Sequence, residues 1–249
     1  MDFETILFEK NGGVAKITFN RPDKLNALNG KMLRETTSAI EDADSDKKVR
    51  VIVITGAGRA FSAGNDISDF TGSISGGSIN KLFEIMIGSG KPVISAVNGL
   101  AYGGGCEIVL ASDISIAKEC VTFCLPEPKL GIIPPFATWL LPPIVGINRA
   151  KYLMLTCDKI DAKEAERIGL INKVVSDDKL DDAVKETASK VMDIAPLAIR
   201  EIKFGIDRYI DGEKLKKILP SMGKLFASKD FRVGVQAFVQ KRKPKFGGM

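Results

Sequence analysis

The chain has 249 residues, 45% hydrophobic and 27% charged, which suits one large globular unit with a real core and requires no disulfide or metal staples. It contains no histidine. A Ser-His-Asp triad, a Cys-His pair, an HExxH zinc site and a haem histidine are therefore excluded, and acid–base chemistry falls to carboxylates, Lys, Tyr, Cys or the backbone.

In chain order, Val14–Phe19 alternates apolar and polar residues and predicts a half-exposed strand. Lys31–Asp44 predicts an amphipathic helix, with Met32, Leu33, Thr36, Ile40 and Ala43 on one face. Val51–Ile54 and Val93–Val97 are short apolar runs rich in β-branched residues and predict strands covered on both faces. Residues 68 to 90, rich in Gly and Ser at first, predict a loop leading into a helix. Cys106–Ala111 opens a helix after three glycines, and Ile114–Ala117 predicts another strand. Helical patterns dominate from Trp139 onward, clearest at Leu180–Asp193, Pro196–Asp211 and Phe231–Lys241. The order predicts an α/β core over residues 1–195 and a helical C-terminal region over 196–249.

The net charge of +5 tilts the chain mildly toward anionic partners, with basic residues clustered only at Lys241, Arg242, Lys243 and Lys245. The cysteines at 106, 120, 124 and 157 match no zinc spacing, so reduced thiols and no metal are expected. No apolar run approaches the ~18 residues of a membrane helix. Met1-Asp2-Phe3-Glu4 lacks the basic-then-apolar order of a secretory signal, so a cytoplasmic location is expected.

Two glycine-bearing segments carry the chemical information. Phe61-Ser62-Ala63-Gly64-Asn65-Asp66-Ile67 follows the strand at 51–54, and Asn98-Gly99-Leu100-Ala101-Tyr102-Gly103-Gly104-Gly105-Cys106-Glu107 follows the strand at 93–97. Glycines there let the backbone pass close to a ligand, and a helix N-terminus adds partial positive charge. That combination suits a carbonyl oxygen that becomes anionic. Neither GxGxxG nor GxxxxGK[ST] occurs, which argues against dinucleotide and phosphate loops. Several neighbours read more plainly: Asp66 as a turn carboxylate bonding nearby backbone, Trp139 as a packing anchor and Cys106 as a small buried residue. Tyr102 could reach a ligand or pack.

Together with Phe123-Cys124-Leu125-Pro126-Glu127 and Lys129-Leu130-Gly131-Ile132-Ile133-Pro134, these segments resemble the enoyl-CoA hydratase/isomerase (crotonase) family. Asn20-Arg21-Pro22-Asp23-Lys24-Leu25-Asn26-Ala27-Leu28, Ala162–Leu170 with Val174-Val175, and Ala237-Phe238-Val239-Gln240-Lys241-Arg242 extend the similarity from about residue 3 to 246. The resemblance implies a ββα spiral core, a homotrimer or dimer of trimers, and an acyl-CoA thioester substrate with no further cofactor. It places the oxyanion-hole amides at Asn65 and Gly104. The CoA arm would be lined by Ala63, Gly64, Asn65, Asp66 and Ile67, with Gly103 and Gly104 beside them and Lys24, Leu25 and Ala27 near. Phe238 and Lys241 would approach the adenine and phosphates.

By the same resemblance Glu107 and Glu127 are the catalytic carboxylates of an enoyl-CoA hydratase. One activates water while the other, protonated, hands a proton to Cα. One departure stands out. Where the family hydratases continue Gly-x-Gly-Gly-Thr and offer a glycine amide to the catalytic water, this chain reads Pro135-Phe136-Ala137-Thr138-Trp139. Proline has no N–H to give, and Phe136 adds bulk near the acyl pocket. An isomerase using Glu127 alone, or a non-catalytic CoA- or RNA-binding relative, are the alternatives. The basic tail has few interleaved aromatics, so nucleic acid is not the expected partner.

Overall fold

A computed structural model of the chain describes residues 3–67, 76–207 and 212–248. The first strands, β1 (Ile6–Asn11) and β2 (Val14–Phe19), pair antiparallel across a two-residue turn at Gly12-Gly13. Helix α1 (Gly30–Ser45) follows, capped where the Asn29 side chain accepts the Met32 amide, and it buries the five residues of the expected face. Then come β3 (Val51–Gly56), β4 (Ala60–Ser62), α2 (Gly76–Gly88), β5 (Val93–Val97), β6 (Leu100–Tyr102), α3 (Gly104–Leu110), β7 (Ile114–Lys118) and β8 (Thr122–Cys124). Helices α4 (Pro135–Val145) and α5 (Ile147–Thr156) lead to β9 (Ile160–Asp161), α6 (Ala162–Arg167), β10 (Lys173–Val175) and α7 (Leu180–Met192). The elements from residue 196 on are all helices, α8 (Pro196–Asp207), α9 (Gly212–Ala227) and α10 (Lys229–Val239), and residues 240–248 follow without regular structure.

The strands form two sheets, ordered β1-β2-β3-β5-β7-β10 and β4-β6-β8-β9. Three times the chain places a longer strand in the first sheet and then a three-residue strand in the second, which makes the core a ββα spiral. Because side chains alternate along a strand, Ile52 and Ile54 face the main core with Ile17, Phe19 and Phe61, while Val51 and Val53 pack under α7 against Leu180 and Val184. β5 divides the same way, with Val93 and Val97 in the main core and Ile94 and Ala96 beneath α7. This two-sided burial is why both strands read as unbroken apolar runs.

The glycine-bearing segments do not leave the first sheet directly, as the sequence reading has them. They extend β4 and β6, which lie parallel and adjacent in the second sheet, with Ala60 opposite Leu100 and Ser62 opposite Ala101. That pairing brings residues 63–67 alongside 103–107. The last helix also differs from expectation. It begins at Lys229 because the Ser228 side chain accepts the Phe231 amide, and it stops before Lys241, whose backbone is left-handed. Of the expected loop-to-helix segment, residues 68–75 lie outside the described residues, and so do 208–211 at the end of the predicted 196–211 helix.

The C-terminal helices pack back on the core. Lys203 of α8, buried, forms an ion pair with Asp113, whose carboxylate also accepts the Val93 amide. α9 packs on α4, and α10 on the short 3-10 turn Glu127–Leu130. Among the described residues, no helix is long and apolar enough to cross a membrane.

Candidate active site

A cavity of about 270 Å³ opens between α1, α2, α4 and α9. Asn65, Asp66, Asn80, Glu107 and Glu127 supply its polar wall. Leu28, Leu33, Ile79, Ile132 and Pro135 supply apolar wall from the core, and Leu219, Met222 and Phe226 close it from α9.

The stretch 21–28 is the frame on which residues 63–66 are hung. Asn26 is fully buried and in a left-handed backbone; its side chain donates to the carbonyls of Ala57 and Ala60 and accepts the Arg21 amide. The Ala63 amide donates to Leu25, the Leu28 amide to Gly64, and the Asp66 amide to Leu28. In such a parallel bridge the N–H and C=O of Asn65 point away from Leu28. Arg21 fixes the next residue through an ion pair with Asp66 at 2.9 Å, a partner 45 residues away in the chain.

Gly64 and Gly103 allow the two segments to touch. A Cβ on Gly64 would stand 2.8 Å from the Tyr102 carbonyl oxygen and 3.2 Å from the Gly104 nitrogen. On Gly103 it would stand 2.8 Å from Glu127 Oε1, and both glycines have positive φ. Gly104 is the first residue of α3, a position whose N–H has no partner within the helix. Among the described residues, neither the Asn65 nor the Gly104 amide is used in a hydrogen bond of the fold.

Glu107 lies one turn into α3 and is 2% exposed. Its Oε1 accepts the amides of Phe136 and Ala137, each at 2.9 Å. Those are the orphan donors at the start of α4, where Pro135 occupies the position at which a missing N–H matters least. Burial pushes the Glu107 carboxyl up to about 7 against the pull of the two amides. Glu127 opens a 3-10 turn with its carboxyl turned inward, and its Oε2 is buried with no hydrogen-bond partner. Burial, and then the charge of Glu107, hold Glu127 well above the ordinary carboxylate range. The pair therefore favours one proton shared unequally, with Glu107 ionising first and Glu127 keeping its proton.

A family model for enoyl-CoA hydratase/isomerase matches residues 9–249. The chain belongs to the enoyl-CoA hydratase/isomerase family. A short-chain-enoyl-CoA hydratase of Clostridium acetobutylicum is 40% identical over 98% of this chain and 97% of its own. A crotonyl-CoA hydratase of Syntrophomonas wolfei is 39% identical over 99% of both. Among solved structures, carnitinyl-CoA hydratase from Mycobacterium avium superposes with a TM-score of 0.91 at 34% identity, over 98% of this chain and 99% of that one.

Of the residues that the family resemblance singles out, Asn65, Asp66, Glu107 and Glu127 line the cavity. Gly64, Gly103 and Gly104 lie just behind it. Ala63 is hydrogen-bonded to Leu25, the Ala27 carbonyl accepts the Arg21 guanidinium, Ile67 packs with Leu130, Ile132 and Phe231, and Lys24 is exposed at the outer end of the same stretch. Phe238 and Lys241 are not brought to the cavity; Phe238 is 60% exposed at the end of α10. Tyr102 bonds Thr122 through its hydroxyl and does not line the cavity either. Cys106 is buried, and burial raises its thiol, which makes it a packing residue. Trp139 packs, half-buried, against the main core. Sequence reasoning missed Arg21 and Asn26 as the supports of Asn65, and missed the α9 wall. Leu215, Leu219, Met222 and Phe226 do recur at helical spacing, so that wall had a signal.

Proposed function

We infer that this protein is an enoyl-CoA hydratase that adds water across the double bond of a 2-enoyl-CoA thioester. The observation that carries the reading is one cavity holding two buried carboxyls of unequal acidity beside two unused backbone amides. The acyl-CoA is substrate, and the reaction asks for no other cofactor. Water attacks the β-carbon and gives a proton to ionised Glu107. Negative charge moves to the thioester oxygen, where the amides of Asn65 and Gly104 receive it; losing one such donor typically costs ~3–4 kcal/mol. Glu127, protonated, then delivers its proton to Cα, and the carbonyl reforms. The stretches 24–27 and 63–67 would hold the pantetheine arm, and Phe238 with Lys241 is the reading offered for the nucleotide end. A homotrimer or dimer of trimers in the cytoplasm is proposed on the family likeness.

Incubation with 2-enoyl-CoA in ¹⁸O-water tests the reading: one labelled oxygen should appear at the β-carbon. A protein that binds the thioester without incorporating oxygen is not a hydratase.

Double-bond isomerisation by Glu127 alone is the second reading, favoured by one observation. Glu127 Oε2 lacks a donor in a cavity where Pro135 stands in place of an amide. Pro135→Gly should therefore raise hydration relative to isomerisation. A regained hydrogen bond is worth about 1 kcal/mol, or about fivefold in rate. Glycine also loosens the start of α4, costing roughly 0.5–1 kcal/mol of stability. Loosening lowers both activities together, so the ratio on 2-enoyl- and 3-enoyl-CoA is the quantity to measure. An unchanged ratio would mean that the missing amide does not limit hydration.

A further inference from the structure

The geometry points to the stacked pair Phe83–Phe136 as the floor of the acyl pocket and the element that limits this enzyme to short acyl chains, an inference that rests on the hydratase reading above. The rings lie 3.7 Å apart between centroids with planes within 8°, and both are fully buried. Each is joined to the cavity by its neighbour. Ile79 lines the cavity from α2, and Phe83 is one turn further along the same face. Pro135 lines it from the start of α4, and Phe136 is the next residue.

The floor is also braced from the catalytic side. The Phe136 amide is one of the two that hold Glu107, so the backbone that carries the ring is fixed, and the ring itself is held by its stacking on Phe83. The rings do not themselves line the cavity; they stand directly behind Ile79 and Pro135, and, packed at interior density, they keep that wall from yielding a methylene's width to a growing acyl chain without strain. Sequence alone suggests only that Phe136 adds bulk near the pocket. The partner that makes this bulk rigid comes from α2, more than fifty residues away.

The test is the kcat/KM profile over crotonyl-, 2-hexenoyl-, 2-octenoyl- and 2-decenoyl-CoA for the wild type, Phe83→Ala and Phe83→Leu. The wild type should fall steeply with length. Removing the Phe83 ring leaves a dry apolar void of the kind that accepts a benzene-sized guest, and each methylene admitted recovers about fourfold. The octenoyl-to-crotonyl ratio should thus rise tenfold or more in Phe83→Ala and less in Phe83→Leu, which retains most of the packing if the alanine variant folds poorly. Thermal melting gives a readout independent of turnover: octanoyl-CoA should raise the Tm of the Phe83 variants more than that of wild type, whereas butyryl-CoA should not. A flat wild-type profile, or variants with the wild-type ratio and wild-type Tm responses, would overturn the inference. If no enoyl-CoA is hydrated but octanoyl-CoA still separates variants from wild type by Tm, the hydratase reading fails and the floor stands.

Discussion

Glu127→Gln should lose ~10²-fold or more of its turnover on any enoyl-CoA while binding a saturated acyl-CoA within a few-fold of wild type. The amide keeps the shape of the side chain beside Gly103 but cannot deliver a proton to Cα. Packing there is close, since a single added carbon on Gly103 would meet Glu127 Oε1 at 2.8 Å, so a near-isosteric change is the informative one. Stability gives an independent check with a definite sign. Burial raises the Glu127 pKa in the folded state, so the stability it contributes is fully present below the unfolded value near 4.5 and is lost as pH rises through the folded value. The glutamine variant has no such loss. The Tm of the variant relative to wild type should therefore climb as pH rises above about 4.5. Turnover within a few-fold of wild type would remove Glu127 from the mechanism.

How far the chain could be read before its structure depended on the range of the signal. Val51–Ile54 and Val93–Val97 were legible because burial on both faces leaves an unbroken apolar run, and α1 because its buried face repeats at helical spacing. β4 and β6 were not, because three residues hold no period; yet their pairing is what joins the two glycine segments. The start of α3 lies inside the glycines rather than after them, since glycine is a poor helix former and only tertiary packing extends the helix to Gly104. Glu107 and Glu127 were legible as an unequal pair through family motifs, but which of them keeps the proton was not. That is set by the two α4 amides on one carboxyl, 29 and 30 residues away in the chain, and by the orphaned oxygen on the other. The Arg21–Asp66 ion pair spans 45 residues and leaves no local trace at either end.

Pro135 shows where a motif-level argument reached the right place with half the chemistry. The substitution does remove one N–H, but it also starts α4 with a residue whose φ suits a helix. The two amides that follow are thereby aimed together at Glu107, where the positive end of the helix favours the ionised form. The two amides on Glu107 and the orphaned oxygen of Glu127 set the two carboxyls toward opposite protonation states, whereas the amide absent at Pro135 is the separate matter that Pro135→Gly tests.

Glu107→Gln separates those reactions. In a hydratase it should suppress oxygen incorporation as strongly as Glu127→Gln, by ~10²-fold or more, because water activation needs the carboxylate. Double-bond migration of 3-enoyl-CoA should be largely retained, since Glu127 can carry that proton alone. The wild-type acid limb agrees in sign: with Glu107 at about 7, hydration kcat/KM should fall about tenfold per pH unit below that value as the base is protonated. Glu107 also caps α4, and the two roles come apart with a second variant. Glutamine still offers an oxygen to the Phe136 and Ala137 amides, whereas Glu107→Ala leaves both donors buried and unpaired at about 1–3 kcal/mol each. A catalytic Glu107 makes the glutamine variant inactive in hydration with a Tm near wild type. A Glu107 that is only a cap does the reverse, sparing hydration in the glutamine variant and lowering Tm in the alanine one, and that pattern would leave the hydratase reading without its base.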